Sequence, residues 1–190
     1  MNPIPLVIAA VVILLPFIYV LVQYNALVAL KNYIRESWSD VDVELKRRYD
    51  LIPNMVAVVK GYAAHERAVL EHVAELRNRC AANNGPVADQ SRDEVQLVDA
   101  LKQLLAVVEN YPQLKADQQF LKLQTELVNT EDRIQAARRF YNGNVRDYRN
   151  KCETFPSNLV AKGFGFKSEG DFFSVPPSVR DVPNVDFATS

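Results

Sequence analysis

From Ile4 to Val22 the chain is almost uninterrupted Ile, Leu, Val, Ala and Phe, and no side chain charged at neutral pH precedes Lys31. The apolar positions then thin to a helical rhythm. Leu27, Leu30, Ile34, Trp38, Val41, Leu45 and Tyr49 recur at steps of three and four, which puts them on one stripe of a helix. Lys31, Asn32, Glu36, Asp40, Asp42 and Lys46 fall between them and face water. This helix is expected to run on from the apolar segment without a break. A second stripe, Met55, Val59, Tyr62, Val69, Val73, Leu76 and Cys80, has one polar member, Glu66. A third joins Leu97, Val98, Leu101, Leu104, Leu105 and Val108. A fourth joins Phe120, Leu123, Leu127, Ile134, Ala137, Tyr141, Val145 and Tyr148. The heptad-like spacing predicts helices packed at small crossing angles.

The breaks between stripes come from residues that helices tolerate poorly. Pro53 removes a hydrogen bond and crowds residue 49, so a hairpin turn or sharp kink is expected at 50–53, with Asp50 capping the second helix. Gly61 in mid-helix, unfavourable by about 1 kcal/mol against Ala, is expected to mark a close helix–helix approach. Asn83-Asn84-Gly85-Pro86 is an interruption. Ser91-Arg92-Asp93-Glu94 matches a capping box, Pro112 closes the third helix, and Asp117 is placed to cap the fourth. Asn142-Gly143-Asn144 weakens that helix, and Phe155-Pro156 ends its regular part. Beyond it, Leu159, Phe164, Phe166, Phe172 and Phe173 stand among glycines and charges. They read as a strap folded back on the bundle or as a docking segment for a partner, Phe164, Phe166, Phe172 and Phe173 being the candidate contacts. From Ser174, Pro176, Pro177 and Pro183 predict an extended, mobile end.

A bilayer core of roughly 30 Å needs about 20 apolar residues in a helix, and residues 4–22 supply them. Pro3 and Pro5 sit where a missing N–H costs least, Pro16 is expected to kink the span, and Tyr19 and Tyr24 suit the interfacial belt. A cleaved signal peptide is the rival. No basic n-region precedes the run, the run exceeds the usual length, and no small-x-small site comes after it. The segment therefore reads as a lipid anchor. Lys31, Arg35 and Lys46-Arg47-Arg48 lie beyond the span while no Lys or Arg precedes it. That imbalance predicts an N-terminus outside and a cytoplasmic domain, with a periplasmic domain as the alternative. Lys46-Arg47-Arg48 is a poor headgroup site: from Val22 to Lys46 a helix rises about 36 Å, against a Debye length of about 8 Å. Ion pairing with bundle carboxylates suits these cations better.

Composition narrows the class. At 48% hydrophobic residues a core is available, and six glycines in 190 residues favour long helices over a sandwich of short strands. A net charge of −1 offers no basic face for nucleic acid, which is excluded as a partner. Cys80 and Cys152 are too few for a disulfide scaffold and fit core positions, with one bridge open as the alternative.

Motifs that carry chemistry are scarce. His65-Glu66 resembles the start of a zinc-protease motif, but Val69 stands where the second histidine is required. His72 lies two helical turns away, about 10 Å along the axis, too far to share one ion. Neither histidine has a glutamate three residues before it, which a di-iron bundle needs. No phosphate loop, dinucleotide fingerprint or nucleophile elbow occurs. Glu66 and Asp50 read as ion-paired core polar groups. No cofactor, metal or catalytic residue is assigned, and the chain is read as no enzyme. Lys46, Arg47, Arg48, Asp50, Pro53, His65 and Glu66 are candidate structural polar sites.

A specific set of motifs resembles the LemA family. It comprises Tyr24-Asn25-x-Leu27-Val28, Leu45-Lys46-Arg47-Arg48-Tyr49-Asp50-Leu51-Ile52-Pro53-Asn54, Val59-Lys60-Gly61-Tyr62-Ala63 and His65-Glu66. Glu109-Asn110-Tyr111-Pro112-x-Leu114-Lys115-Ala116, Arg138-x-Phe140-Tyr141-Asn142 and Phe155-Pro156-Ser157-Asn158-Leu159-Val160 match as well. Phe164-Gly165-Phe166 and Phe172-Phe173 also fit, while Gly163 stands where a larger apolar residue is expected. The resemblance implies a bacterial single-pass membrane protein with an elongated antiparallel helical bundle, its N-terminus outside and its domain cytoplasmic. The family includes magnetosome proteins associated with membrane formation, which implies a membrane-organising role by analogy. It supplies no catalytic residue.

The expected architecture is all-α. Residues 1–26 form a transmembrane anchor that continues into a four-helix bundle over 27–160, followed by an aromatic strap and Pro-containing tail over 161–190. The leading expectation of function is a membrane-tethered scaffold or adaptor that binds an unidentified protein partner. The alternatives are a homo-oligomer that organises or remodels membrane and an unrecognised hydrolase or metal-dependent enzyme.

Overall fold

The computed structural model describes residues 3–168 and 170–173, with the backbone alone at 5, 6, 9 and 10. The expected mobile end from Ser174, with Pro176, Pro177 and Pro183, lies outside the described residues. Among the described residues there is no strand. The helices are α1 (Ile4–Tyr62), α2 (Arg67–Ala82), α3 (Val87–Val108), α4 (Pro112–Lys115), α5 (Gln118–Glu153) and α6 (Ser157–Gly163). The all-α bundle is as expected, built on four long helices with α4 as a connector.

No hairpin turn forms at 50–53: α1 is continuous through Pro16 and Pro53. A proline inside a helix costs about 3 kcal/mol, partly because the carbonyl four residues back loses its donor. Here that carbonyl belongs to Tyr49, and the Arg77 Nε–H donates to it at 2.9 Å. A side chain from α2 thus replaces the backbone bond that Pro53 deletes, so the orphaned acceptor is satisfied. Asp50 caps nothing. It sits exposed in mid-helix with Arg77 Nη2 3.8 Å away.

The helix ends instead at Tyr62, and a turn over 63–66 leads into α2. Gly61 lies one residue from that end, and nothing stands within 4 Å of a Cβ built on it, so it marks no close approach. The interruption at 83–86 is as expected, and the Asn83 side chain shapes it. Its Oδ1 accepts the Gly85 N–H at 2.9 Å, and its Nδ2 donates to Asp93 at 2.7 Å. Four residues suffice only for antiparallel neighbours, and α2 and α3 pack together. Ser91 and Glu94 form no capping box. Helix α3 starts earlier, at Val87 after Pro86, and both residues are buried in its interior. Asp117 does cap α5: its Oδ1 accepts the Phe120 N–H at 2.8 Å. Helix α5 runs unbroken past Asn142-Gly143-Asn144.

The chain divides into two compact units. Unit 1 takes the described residues up to 45 and 132–171; unit 2 takes 46–131 with 172–173. The core of unit 2 joins Met55 and Val59 of α1, Val73 and Leu76 of α2, Leu97 and Leu104 of α3, Leu114 of α4 and Phe120 of α5. Each such side chain contributes about 1.5–3 kcal/mol by leaving water. The core of unit 1 joins Leu27 to Tyr148, Cys152, Val160 and Ala161, with Tyr19, Val20, Leu30, Ile34 and Phe166 packed against it. In α1 the side chains described before Tyr19 form an exposed apolar band, with Val12 64%, Ile13 70% and Leu15 62% exposed. This is the one helix among the described residues long and apolar enough to cross a membrane.

Candidate functional site

The most concentrated polar chemistry lies inside unit 2. Leu45, Arg48 and Ile52 succeed one another at steps of three and four, so Arg48 shares the buried phase of α1. Glu94 holds the same place on α3, between Ser91 and Leu97. Arg48 is 1% exposed and Glu94 3%. The Arg48 guanidinium pairs through Nη2 with Glu94 Oε2 and through Nη1 with Glu131 Oε2 of α5, the latter at 2.8 Å. The Tyr49 hydroxyl donates to Glu94 Oε1. One cation therefore serves two carboxylates from two other helices. A charge left alone in such a place is severely penalised, so its partners and their helices are held in one register. The arrangement is enclosed and gives a substrate no approach to Arg48 or Glu94.

Ion pairing was the role expected of the Lys46-Arg47-Arg48 run, and Arg48 fills it; Lys46 and Arg47 are exposed. Glu94 and Glu131 were missed. The legible sign for Glu94 was a carboxylate in phase with an apolar stripe, which the capping-box pattern masked. Glu131 is only half-buried and leaves no such sign.

The other candidate polar residues do not converge. Pro53 and Asp50 lie on α1, within the continuous helix. His65 is exposed in the turn over 63–66 rather than on a helix face, and Glu66 accepts the Tyr111 hydroxyl at 3.3 Å instead of an ion pair. His72 is exposed on α2. No group of three or more His, Cys, Asp or Glu is placed to hold a metal among the described residues. Cys80 and Cys152 are free, buried thiols and do not bridge. Burial pushes the Cys80 thiol up to about 11 and raises Cys152 as well, so both stay protonated and unreactive at neutral pH.

Within unit 1 the segment 164–171 folds back on α1 and α5, while Phe172 and Phe173 belong to unit 2. The Tyr24 ring meets Phe164 and Phe166 edge-on, at centroid distances of 5.1 and 5.5 Å. The Tyr141 hydroxyl donates to the Asp171 carbonyl at 3.1 Å, and Arg149 donates to that of Gly170. Phe166 is half-buried and Phe173 is buried, while Phe164 and Phe172 keep exposed faces. Nothing lies within 4 Å of a Cβ built on Gly163.

The LemA family model matches residues 37–187. The chain is 28% identical over 176 residues to Protein LemA of Metamycoplasma hominis, covering 92% of this chain and 77% of that protein. It is 26% identical over 202 residues to Magnetosome protein MamQ of Magnetospirillum gryphiswaldense, covering 92% and 74%. Magnetosome protein MamQ 2 of Paramagnetospirillum magneticum matches at 26% over 188 residues, 86% and 68%. With most of its length inside that model, the chain belongs to the LemA family.

Proposed function

We propose that this chain is a membrane-anchored scaffold that acts by binding other proteins. The observation that carries the reading is the continuity of α1, in which the exposed apolar band and residues of both packed cores share one helix from Ile4 to Tyr62. Such a chain holds folded surfaces at a bilayer. Its strongest ionic cluster is spent on holding helices together, which fits contact rather than turnover. The test is affinity capture of the intact chain, solubilised from its own membranes and followed by mass photometry. The reading expects defined complexes with a reproducible protein. Recovery of bare monomers across a wide concentration range would sink it. The magnetosome relatives favour a second reading, in which the defined complex is a homo-oligomer that organises membrane.

A further inference from the structure

We propose that a cavity of unit 1 holds the phosphate-bearing headgroup of an anionic phospholipid, drawn from the leaflet where α1 leaves the membrane. The cavity measures about 720 Å³ and lies between α1, α5 and the segment 164–167. Lys31, Arg35 and Lys167 line it, and no carboxylate among the described residues does. Neither Lys31 nor Arg35 has an ion-pair partner among the described residues. Lys31 and Arg35, unpaired and facing one space with Lys167 also in its wall, call for an anion. A guanidinium fork and two ammonium groups are the donors that phosphate oxygens take.

The position of the cavity selects a lipid as the carrier of that phosphate. About 20 helical residues fill a bilayer core of roughly 30 Å, so a span starting at Ile4 leaves the hydrocarbon near Tyr24, which lines the cavity. Lys31 comes about 10 Å further along the helix and Arg35 about 16 Å. Helical side chains lean toward the helix N-terminus, here the bilayer, so both cations reach back toward the headgroups. Tyr19 and Val20, the last apolar turn of the span, pack against the cluster that holds Val160 and Ala161 of α6. With the span inserted, that packing brings the cluster beside the bilayer surface. Phe155, Leu159 and Phe164 on and next to α6 are 74%, 62% and 57% exposed, and Phe164 lines the cavity, an apolar surface suited to acyl chains. Tyr24, Phe164 and Phe166 give the same end the aromatic character of a membrane interface.

The proposal rests on membrane anchorage and is independent of whether a protein partner binds. Its test is native mass spectrometry of the full chain in neutral detergent with equal amounts of phosphatidylglycerol and phosphatidylcholine. The pocket variant is Lys31→Gln/Arg35→Gln/Lys167→Gln, and Lys60→Gln/Lys102→Gln/Lys122→Gln removes the same charge from unit 2. Each cation near an anionic surface is worth about fivefold, so the pocket variant should lose about a hundredfold in phosphatidylglycerol retention. The unit 2 variant and the conservative Lys31→Arg/Lys167→Arg variant should retain it. Trp38, the single tryptophan, also lines the cavity. Its emission should shift with phosphatidylglycerol in the parent chain and not in the pocket variant. Equal retention by parent and pocket variant, or no preference in the parent, overturns the proposal. Displacement by inorganic phosphate at matched concentration would assign the cavity to a free anion and overturn the lipid. A chain that captures a protein without preferring the anionic lipid would break this inference alone.

Discussion

The buried ionic cluster of unit 2 and the cation-lined cavity of unit 1 place charge differently, although α1 and α5 supply residues to both units and unit 1 buries a guanidinium of its own at Arg138. In unit 2 a guanidinium is sealed inside, with Glu94 and Glu131 as its partners. In unit 1 the core around Leu27, Tyr148 and Val160 is apolar, and the cations Lys31, Arg35 and Lys167 line an open cavity. The difference separates charges sealed within a core from charges that line an open cavity. Composition alone does not separate the two kinds, since α1 supplies Arg35 to one and Arg48 to the other.

The contrast breaks most visibly at Arg48. Removing one member of a buried ion pair strands its partner, so Arg48→Met should cost about 3–5 kcal/mol in urea unfolding of the detergent-solubilised chain. Replacing Arg48, Glu94 and Glu131 together by Met, Leu and Met should restore most of that loss. Lys31→Met and Arg35→Met in unit 1 should each stay within about 0.5 kcal/mol of the parent, as exposed substitutions do. A small effect at Arg48, or a large one at Lys31, would erase the distinction.

Arg77 offers a finer test within unit 2. Arg77→Met leaves the Tyr49 carbonyl without the donor it has now, at a cost of about 1–3 kcal/mol. Pro53→Ala restores a backbone N–H for that carbonyl, so the loss from Arg77→Met should shrink in the Pro53→Ala background. A double-mutant cycle measures the coupling; additive losses would show that Arg77 does not stand in for the missing bond.

This bond also marks the limit of what the sequence makes legible. Apolar periodicity foretells the four long helices and most of their buried faces, because burial depends on local spacing. It places the first break at Pro53 because the compensation comes from Arg77, 28 residues away and on another helix. Ser91 and Glu94 read as a cap because a capping box and a buried polar pair look alike until the partner, Arg48, is in place. The cavity of unit 1 is invisible for the same reason: Lys31, Arg35 and Lys167 come together only when the aromatic segment returns to α1.

Glycines sharpen the comparison inside unit 1. Gly170 has φ +152°, and a Cβ there meets Val145 Cγ1 at 3.2 Å. Gly170→Ala should therefore cost about 1–3 kcal/mol. Gly143 stands in mid-helix with nothing within 4 Å of a Cβ, so Gly143→Ala should stabilise by about 0.5–1 kcal/mol. Unfolding curves that ranked the two alike would contradict the strap's fit against α5.

The last effect appears only at alkaline pH. Burial holds the Cys80 thiol neutral up to about 11, against an ordinary value of 9.0. The unfolded thiol ionises first, so its contribution to stability is complete below pH 9 and falls as pH rises from 9 to 11. Cys80→Ala should flatten that part of the profile, measured by thermal unfolding; an unchanged slope would show that Cys80 is not its source.

The central claim is that α1 keeps the intact chain at a bilayer. Alkaline carbonate extraction of native membranes, with intact-mass measurement of the chain in each fraction, tests it most directly. The account predicts a chain that stays with the membrane pellet and still carries residues 4–22. A soluble chain lacking that segment would contradict it.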